Sequence, residues 1–585
     1  MNTSNNDNIG VKNAIVAAQA VNAKLVIPQF KNLSTKPTDF NDLMCLEGAD
    51  EVRRQLANAK EVEPTIPNDE KAKKPSQATL IMDLTKDLEF FHDKQNVTYA
   101  TIENNGHKET WRLSSQDFQN WLSHHFWKIH QKAISKNVLQ DTLGILHGKA
   151  SFDGNCHEVY TRIATVDGVI YINLANENWE VIQVTKDSWE VLKDSPVKFT
   201  RVINMQPLPV PLNRGNIDNL WQYLNIPKKY RKLVLAFILE CFRPNTPFPI
   251  LVLYGTQGSA KSTTQEIIRM FIDPSTCNLR TAPKKSEDLL VAAANNWIVS
   301  FNNVSHLSSV QQDDLCSVAT GGALSTRELY TTHQEASVNI KRPVIINGIG
   351  DLVTAQDLID RCIILELPEI KPKDRKTEEQ IMLDFSKEYA AIFGALLDIL
   401  VKTLQELPNV KLLNKPRMAD FALLGTALEK VMNWEQGSFM DDYTYNRTES
   451  MAGALEHSSV AVALTHLIED DYCHSFSGSY NALYTRLSGK YKPDMAGWVK
   501  SAKGLANQIK RQKPALRAIG IEITLDNQRH KDGFHVHIKR IENNVHQVHQ
   551  VHQPTIDEDC QGELTGEHAK DNFLSTPQVH HETPH

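Results

Sequence analysis

The chain of 585 residues offers no paired cysteine motif. Its eight cysteines (Cys45, Cys156, Cys241, Cys277, Cys316, Cys362, Cys473, Cys560) are scattered, with no Cys-x-x-Cys among them. That excludes a recognisable zinc site and points to reduced thiols in a cytoplasmic setting. No apolar run reaches membrane-spanning length, and the opening MNTSNNDNIG lacks the charged-then-apolar layout of a signal peptide. Nor is there an excess of positive charge, with 63 Lys and Arg against 70 Asp and Glu and a net charge of -7. A uniformly basic nucleic-acid binder is thereby excluded, so a surface for nucleic acid has to be local. What remains, 41% hydrophobic and 23% charged, is the composition of a soluble globular protein. The length calls for roughly two to four domains.

The most informative stretch is Pro249 to Thr264, PILVLYGTQGSAKSTT. Ile250 to Tyr254 has the length and branched content of a buried strand. A loop with Gly255 and Gly258 follows, then Ser259, Ala260, Lys261, Ser262 and Thr263, and a helical run to Phe271. Strand, glycine loop, Lys-Ser and helix are what a phosphate-binding loop requires. Glycines let backbone N–H groups turn toward phosphate oxygens, and the helix N-terminus adds a favourable dipole. Lys261 is then expected to reach the β- and γ-phosphates of ATP, and the Ser262 hydroxyl to bind Mg2+. Ala260 stands where the pattern expects glycine. It is compatible with the motif if it keeps an ordinary backbone angle, since only a positive φ demands Gly.

The next buried strand is Trp297 to Phe301, followed by Asn302-Asn303. Then come Ala319-Thr-Gly-Gly322, Ser325-Thr-Arg-Glu-Leu-Tyr330, the strand-like Lys341 to Gly348, and Asp357-Leu-Ile-Asp-Arg361. Together these segments resemble the phage and plasmid helicase family of superfamily 3 type, over roughly residues 210 to 370. That family usually carries Asp-Asn after the second strand, an acid that helps hold magnesium, and here Asn302 stands in the aspartate's place. A neutral amide accepts hydrogen bonds but supplies no anchoring charge. Nucleotide binding is therefore expected more firmly than rapid hydrolysis. The resemblance makes Asn347 the polar strand-tip residue that senses the γ-phosphate or orients water, a strand-end turn being the alternative. It makes Arg361 an arginine finger toward a neighbouring subunit, with Arg327 as second candidate and a surface salt bridge as the plain alternative. Asp313 or Asp314 is a substitute source of a carboxylate, although a structural role suits their position better.

The flanks are less eloquent. Residues 1–60 resemble a truncated Toprim segment of mobile-element primases through Pro37-Thr-Asp-Phe-Asn-Asp-Leu43, with Asp7, Asp39 and Asp42 as its acids. The expected glutamate strand has no room, so no primer synthesis is expected. Residues 61–78 read as a linker and 79–210 as an α+β domain, with hairpin turns at Asn104-Asn105-Gly106 and Asp167-Gly168. Trp179, Trp189 and Phe199 are expected to pack inside. After the motor (211–372), residues 373–450 read as a helical collar. Three helices and a hairpin over 455–542 have the plan of a winged helix-turn-helix, and Lys500, Lys503, Lys510, Arg511 and Lys513 form its candidate DNA surface. The tail, 543–585, has the polar, repetitive composition of a disordered segment.

The fold class expected is thus multidomain α/β: a P-loop NTPase (AAA+-like) parallel-sheet motor with flanking α+β and winged-helix-like domains. The function expected is that of an ATP-binding helicase or translocase of mobile-element replication. It would act as a hexameric ring on single-stranded DNA and engage duplex DNA through the wing. A nucleotide-gated DNA-binding or scaffold protein with impaired hydrolysis is the alternative.

Overall fold

A computed structural model describes residues 9–62, 75–104, 106–327, 335–350, 352–470, 474–493 and 497–541, of which Ile9, 323–327, 335–339 and 527 are described by backbone alone. The tail 543–585 and Asp7 lie outside the described residues. The chain divides into two compact units. One comprises residues 1–102 and 111–157, the other 103–110 and 158–585.

In the first unit, the helix Phe40–Glu47 begins at the Asp39 N-cap, whose carboxylate accepts from the N–H groups of Asn41 and Asp42. Asp42 in turn accepts from the backbone N–H and hydroxyl of Thr38. Asp39 and Asp42, the two acids of the Toprim-like segment among the described residues, are therefore occupied in holding a turn and a helix start. The rest of the unit builds on Phe90, Ala100, Phe118, Leu122, Phe126, Leu143 and Leu146, packed between the strands Glu89–His92 and Thr98–Asn104 and the helices Gln116–His130 and Lys136–Phe152.

The second unit starts earlier than the sequence indicated. The expected 79–210 domain is split at residue 157, and its C-terminal half joins the motor. An antiparallel sheet, β1 (Ile163–Val166), β2 (Val169–Asn173), β3 (Val181–Val184) and β4 (Trp189–Leu192), runs in sequential order. The β1–β2 turn uses Asp167 and Gly168, both at positive φ, as the sequence predicts. Ile163, Ile170, Ile172, Ile182 and Val184 enter the same core as the motor helices, which is why the boundary moves. Arg162, fully buried, clinches the join: its Nε lies 2.9 Å from Asp273 Oδ1, and its other nitrogens donate to the carbonyls of Asn173, Gln206 and Pro274. Of the aromatics, Phe199 is buried, Trp189 is half-buried with its Nε1 donating to Asp398, and Trp179 lies under the Arg201 guanidinium.

The motor follows. Helix α1 (Arg231–Glu240) is buried along its length from Leu233 onward. Strand β5 (Ile250–Tyr254) leads through the glycine loop into α2 (Lys261–Ile272), then α3 (Ser286–Ala294), β6 (Val299–Val304), α4 (Ser309–Thr320), β7 (Val344–Gly348) and β8 (Cys362–Glu366). The four strands pair in the order β6-β7-β5-β8, all parallel. Alternate residues of β5 serve opposite faces: Leu251 and Leu253 pack on the side of α1 and α2, while Ile250 and Val252 pack with α3 and α4. A parallel sheet buried on both faces needs such uninterrupted apolar strands.

Three helices complete the collar, α5 (Glu378–Glu406), α6 (Ala419–Val431) and α7 (Ser438–Glu456). Gly394 in the middle of α5 lets the chain at 206–215 lie directly on the helix: a Cβ there would stand 1.8 Å from the Leu212 carbonyl oxygen. Leu212 N–H donates to Ala390 O across the same contact. Asn446 of α7 pairs its amide with the backbone of Ile364, covering the open edge of β8.

The last module is α8 (Ser459–Asp470), β9 (Ser475–Ser479), α9 (Tyr480–Arg486), α10 (Ala502–Ala518), β10 (Ile521–His530) and β11 (Gly533–Arg540), with strand order β9-β11-β10. The expected helices and hairpin are present, and the hairpin is joined by a third antiparallel strand, β9, that the sequence reading missed. Lys510 to Pro514 lies within α10, which continues to Ala518. Pro514 costs the helix its own N–H bond and crowds the Lys510 carbonyl one turn back, and the burial of Ala515 and Leu516 holds the last turn in place. The module shares a continuous apolar core with one face of the motor sheet. Among the described residues, no helix is long and apolar enough to cross a membrane.

Candidate nucleotide site and DNA surface

The glycine loop emerges from the carboxyl end of β5, a central strand of the sheet, and closes on the N-terminus of α2. Gly255 and Gly258 both hold positive φ, 151° and 86°. Ala260 does too, at 51°, so the expectation that it keeps an ordinary backbone angle fails. The cause is local. Ala260 is the N-cap of α2 and its carbonyl already accepts the first helical bond, from Thr264, while Ser259 is fully buried with its hydroxyl on Thr256 O. The chain has to swing into the helix at that one residue, and a Cβ there costs about 1–2 kcal/mol.

Lys261 lies over the loop. Its Nζ donates to the carbonyls of Gly255 and Thr256 at 2.8 and 2.7 Å and approaches Ser259 Oγ at 3.3 Å. Burial pushes its ammonium below the ordinary lysine value. Ser262 and Thr263, in the same turn, are half-buried. Ser262 Oγ donates to Asn302 Oδ1 at 2.8 Å, so the two residues that the motif assigns to the cation do meet.

Asn302 belongs to a larger amide network. Asn347 Nδ2 donates to Asn302 Oδ1 at 2.7 Å and to Gln265 Oε1 at 2.6 Å, and Asn347 Oδ1 accepts from the Asn303 N–H at 2.8 Å. Gln265 Nε2 donates to Ser300 Oγ and to the Phe301 carbonyl. Asn347 is fully buried and its amide fully engaged, so within the protomer it orients Asn302 instead of presenting its own polar atoms. Gln265 was missed from the sequence, although its place one helical turn after Lys261 points the same way.

Two further residues were missed. Asn225 Nδ2 donates to Ser259 O and Pro368 O, bracing the loop from outside. Arg375 lies over Gly258, where a Cβ would come within 2.9 Å of its Nη2. Its only described partners are the Ile370 carbonyl and Glu369, at 3.0 and 3.1 Å, and the ion pair is solvent-exposed. No spacing in the sequence marks either one, since both reach the loop from segments far along the chain.

The remaining candidates fall elsewhere. Arg361 precedes β8, beside Ile250 at the opposite end of the sheet from the loop, and pairs with Asp357 at 2.5 Å. Asp357 also pairs with Arg417. Asp314 accepts from Ser286 Oγ in the α3–α4 contact, a structural role, and Asp313 is exposed. For Arg327 the backbone alone is described, at the end of the strand Gly322–Arg327. Among the described residues there is no group of three or more His, Cys, Asp or Glu able to hold a metal. One hydroxyl and one already occupied amide oxygen are a poor donor set for Mg2+, a hard cation that favours carboxylates.

On the winged module, Lys503, Asn507, Lys510 and Arg511 form an exposed stripe along α10, with Lys500 exposed just before it. Lys513 is half-buried, nearer Glu522. The Glu522 carboxyl is held below its ordinary value first by the hydrogen bond from Lys539, with the charges of Lys539, Arg517 and Lys513 adding to it. So Lys513 is in part committed within the fold.

Residues 217–440 match the family model described as actinomycete integrative conjugative element replication protein, and residues 460–551 match the AICE RepA C-terminal domain. Over those stretches the chain is similar to replication proteins of a mobile element. No match to a curated protein was found. Among solved structures, the C-terminal region of NrS-1 is similar at 13% identity, covering 80% of this chain and 100% of that one, with a TM-score of 0.36. The SCCmec type IV Cch active helicase is similar at 14% identity, covering 78% and 92%, with a TM-score of 0.42. These are loose likenesses at low identity.

Proposed function

From the premise of a replication protein of the integrative conjugative element type, we propose that this chain is an ATP-binding DNA motor. Single-stranded DNA is its track, and the α10 face contacts duplex DNA. The observation that carries this is the placement of the loop: a glycine turn and a helix N-terminus at the carboxyl end of a central parallel strand, with Lys261 inside it. ATP binding draws Lys261 off the Gly255 and Thr256 carbonyls and onto phosphate oxygens, which are stronger, charged acceptors. A head-to-tail homo-oligomer, of which a hexameric ring is one form, would bring Arg361 toward a neighbour's nucleotide once its bond to Asp357 opens.

A second reading is favoured by one specific observation. Asn302 occupies the acid's position and neither takes a proton from water nor anchors a cation through charge. On that reading the chain is a nucleotide-gated DNA-binding protein, in which ATP sets the conformation and turnover is slow. Strand displacement with and without ATP separates the two, alongside ATP hydrolysis with and without single-stranded DNA and particle size by light scattering. ATP-driven displacement supports the motor. DNA binding that responds to ATP without displacement supports the gate. No affinity for ATP would reject both.

A further inference from the structure

Backbone groups fix every amide orientation around Asn302. The Asn303 N–H can only donate, so the atom of Asn347 that faces it is the oxygen. The other atom of that amide is then the nitrogen, and it meets Gln265 and Asn302. Both must present oxygens. The Phe301 carbonyl, which only accepts, agrees by taking the nitrogen of Gln265. Asn302 Oδ1 is thus held between Ser262 Oγ and Asn347 Nδ2, and its Nδ2 has no partner among the described residues. Asn302 itself is partly exposed beside the phosphate loop. Where an aspartate would offer an anionic oxygen, this site offers an N–H donor.

A donor repels a cation and attracts a phosphate oxygen. The cationic charge that a bound metal would otherwise contribute is present on the protein: Lys261 within the loop, and Arg375 against Gly258 on an exposed ion pair of the kind worth little. We infer that this loop takes a nucleoside triphosphate without a divalent cation, with Asn302 Nδ2 donating to the terminal phosphate and Lys261 and Arg375 balancing its charge. The inference rests on the nucleotide-binding reading above and commits it to a ligand form, free triphosphate in place of the magnesium complex.

The test is equilibrium titration of a fluorescent ATP analogue into the full chain, once with excess EDTA and once with excess magnesium. The wild type is expected to bind with dissociation constants within about threefold of each other. Asn302→Asp places a carboxylate against the phosphates, so it is expected to bind about tenfold more weakly in EDTA and to recover with magnesium. Arg375→Gln is expected to lose about tenfold in EDTA. Thermal melts check that each variant is folded. Wild-type binding that needs magnesium would overturn the inference and leave nucleotide binding standing. So would an Asn302→Asp variant as tight as wild type in EDTA. No binding in either buffer would reject the underlying reading instead.

Discussion

Asn347 Nδ2 lies 2.7 Å from Asn302 Oδ1 and holds that oxygen toward Ser262, so one buried amide dictates which atom its neighbour shows to the phosphate loop. In magnesium, turnover by the wild type is expected to be slow. Asn302→Asp restores a group able to anchor the ion and is expected to raise kcat by about tenfold or more, a decade being about 1.4 kcal/mol of barrier. A brisk wild-type rate that falls on this change would show Asn302 to be a working substitute. Steady-state ATP hydrolysis decides it.

Lys261→Ala removes the loop's own cation. Nucleotide affinity is expected to drop by at least about tenfold, measured by the same titration, since a charge-assisted hydrogen bond to phosphate disappears. The melting temperature should move little, because the bonds removed are to loop carbonyls that water reaches once the side chain is gone. Unchanged affinity would remove ATP from the account of this protein.

Ala260→Gly relieves a left-handed alanine. About 1–2 kcal/mol of conformational strain is removed, against about 0.5–1 kcal/mol of added unfolded-chain entropy. A net gain of up to about 1.5 kcal/mol in unfolding free energy is expected, with nucleotide binding retained. Urea melts would contradict this by showing a loss.

Arg162→Met strips a buried guanidinium from Asp273 and from three carbonyls. Removing one partner of a buried pair costs about 3–5 kcal/mol, so a large fall in the denaturation midpoint is expected. A shift under about 1 kcal/mol would mean that the antiparallel sheet docks without it.

Replacing Lys503, Lys510 and Arg511 together by alanine should weaken duplex DNA binding regardless of sequence. The slope of log affinity on log salt should fall by about one for each phosphate no longer neutralised. Lys513→Ala should do less, given its engagement near Glu522. Equal effects from all four would point to a diffuse surface in place of a helix face.

The strand, glycine loop and helix at 250–272 were legible because their signal is short-range. A branched run, two glycines and Lys-Ser within one window specify strand, turn and helix with little help from elsewhere. The helices over 378–456 and the hairpin near 532 were legible for the same reason, through periodicity and a local turn. What escaped notice depends on distant parts of the chain. Arg375 and Asn225 reach the loop only because β8 and the segment before α1 are folded beside it. The domain boundary moved because the alternation of β1 to β4 reveals a buried face but not which core it enters. Ala260 shows the converse: the residue type argues for an ordinary φ, and the surrounding bonds overrule it.

Gly394, bare of side chain where the Leu212 carbonyl rests on α5, has a mechanical corollary. Three residues before that helix begins stands Arg375, whose guanidinium lies over Gly258 of the loop. Helix α5 is held on two sides: the strap at 206–215 is pressed against its middle, and Trp189 of β4 donates to its Asp398. Helix, strap and antiparallel sheet are therefore tied to one another through α5, and Phe385 and Tyr389 of the same helix pack edge-on against Phe271 of α2, so the phosphate-loop helix and this flank share one support.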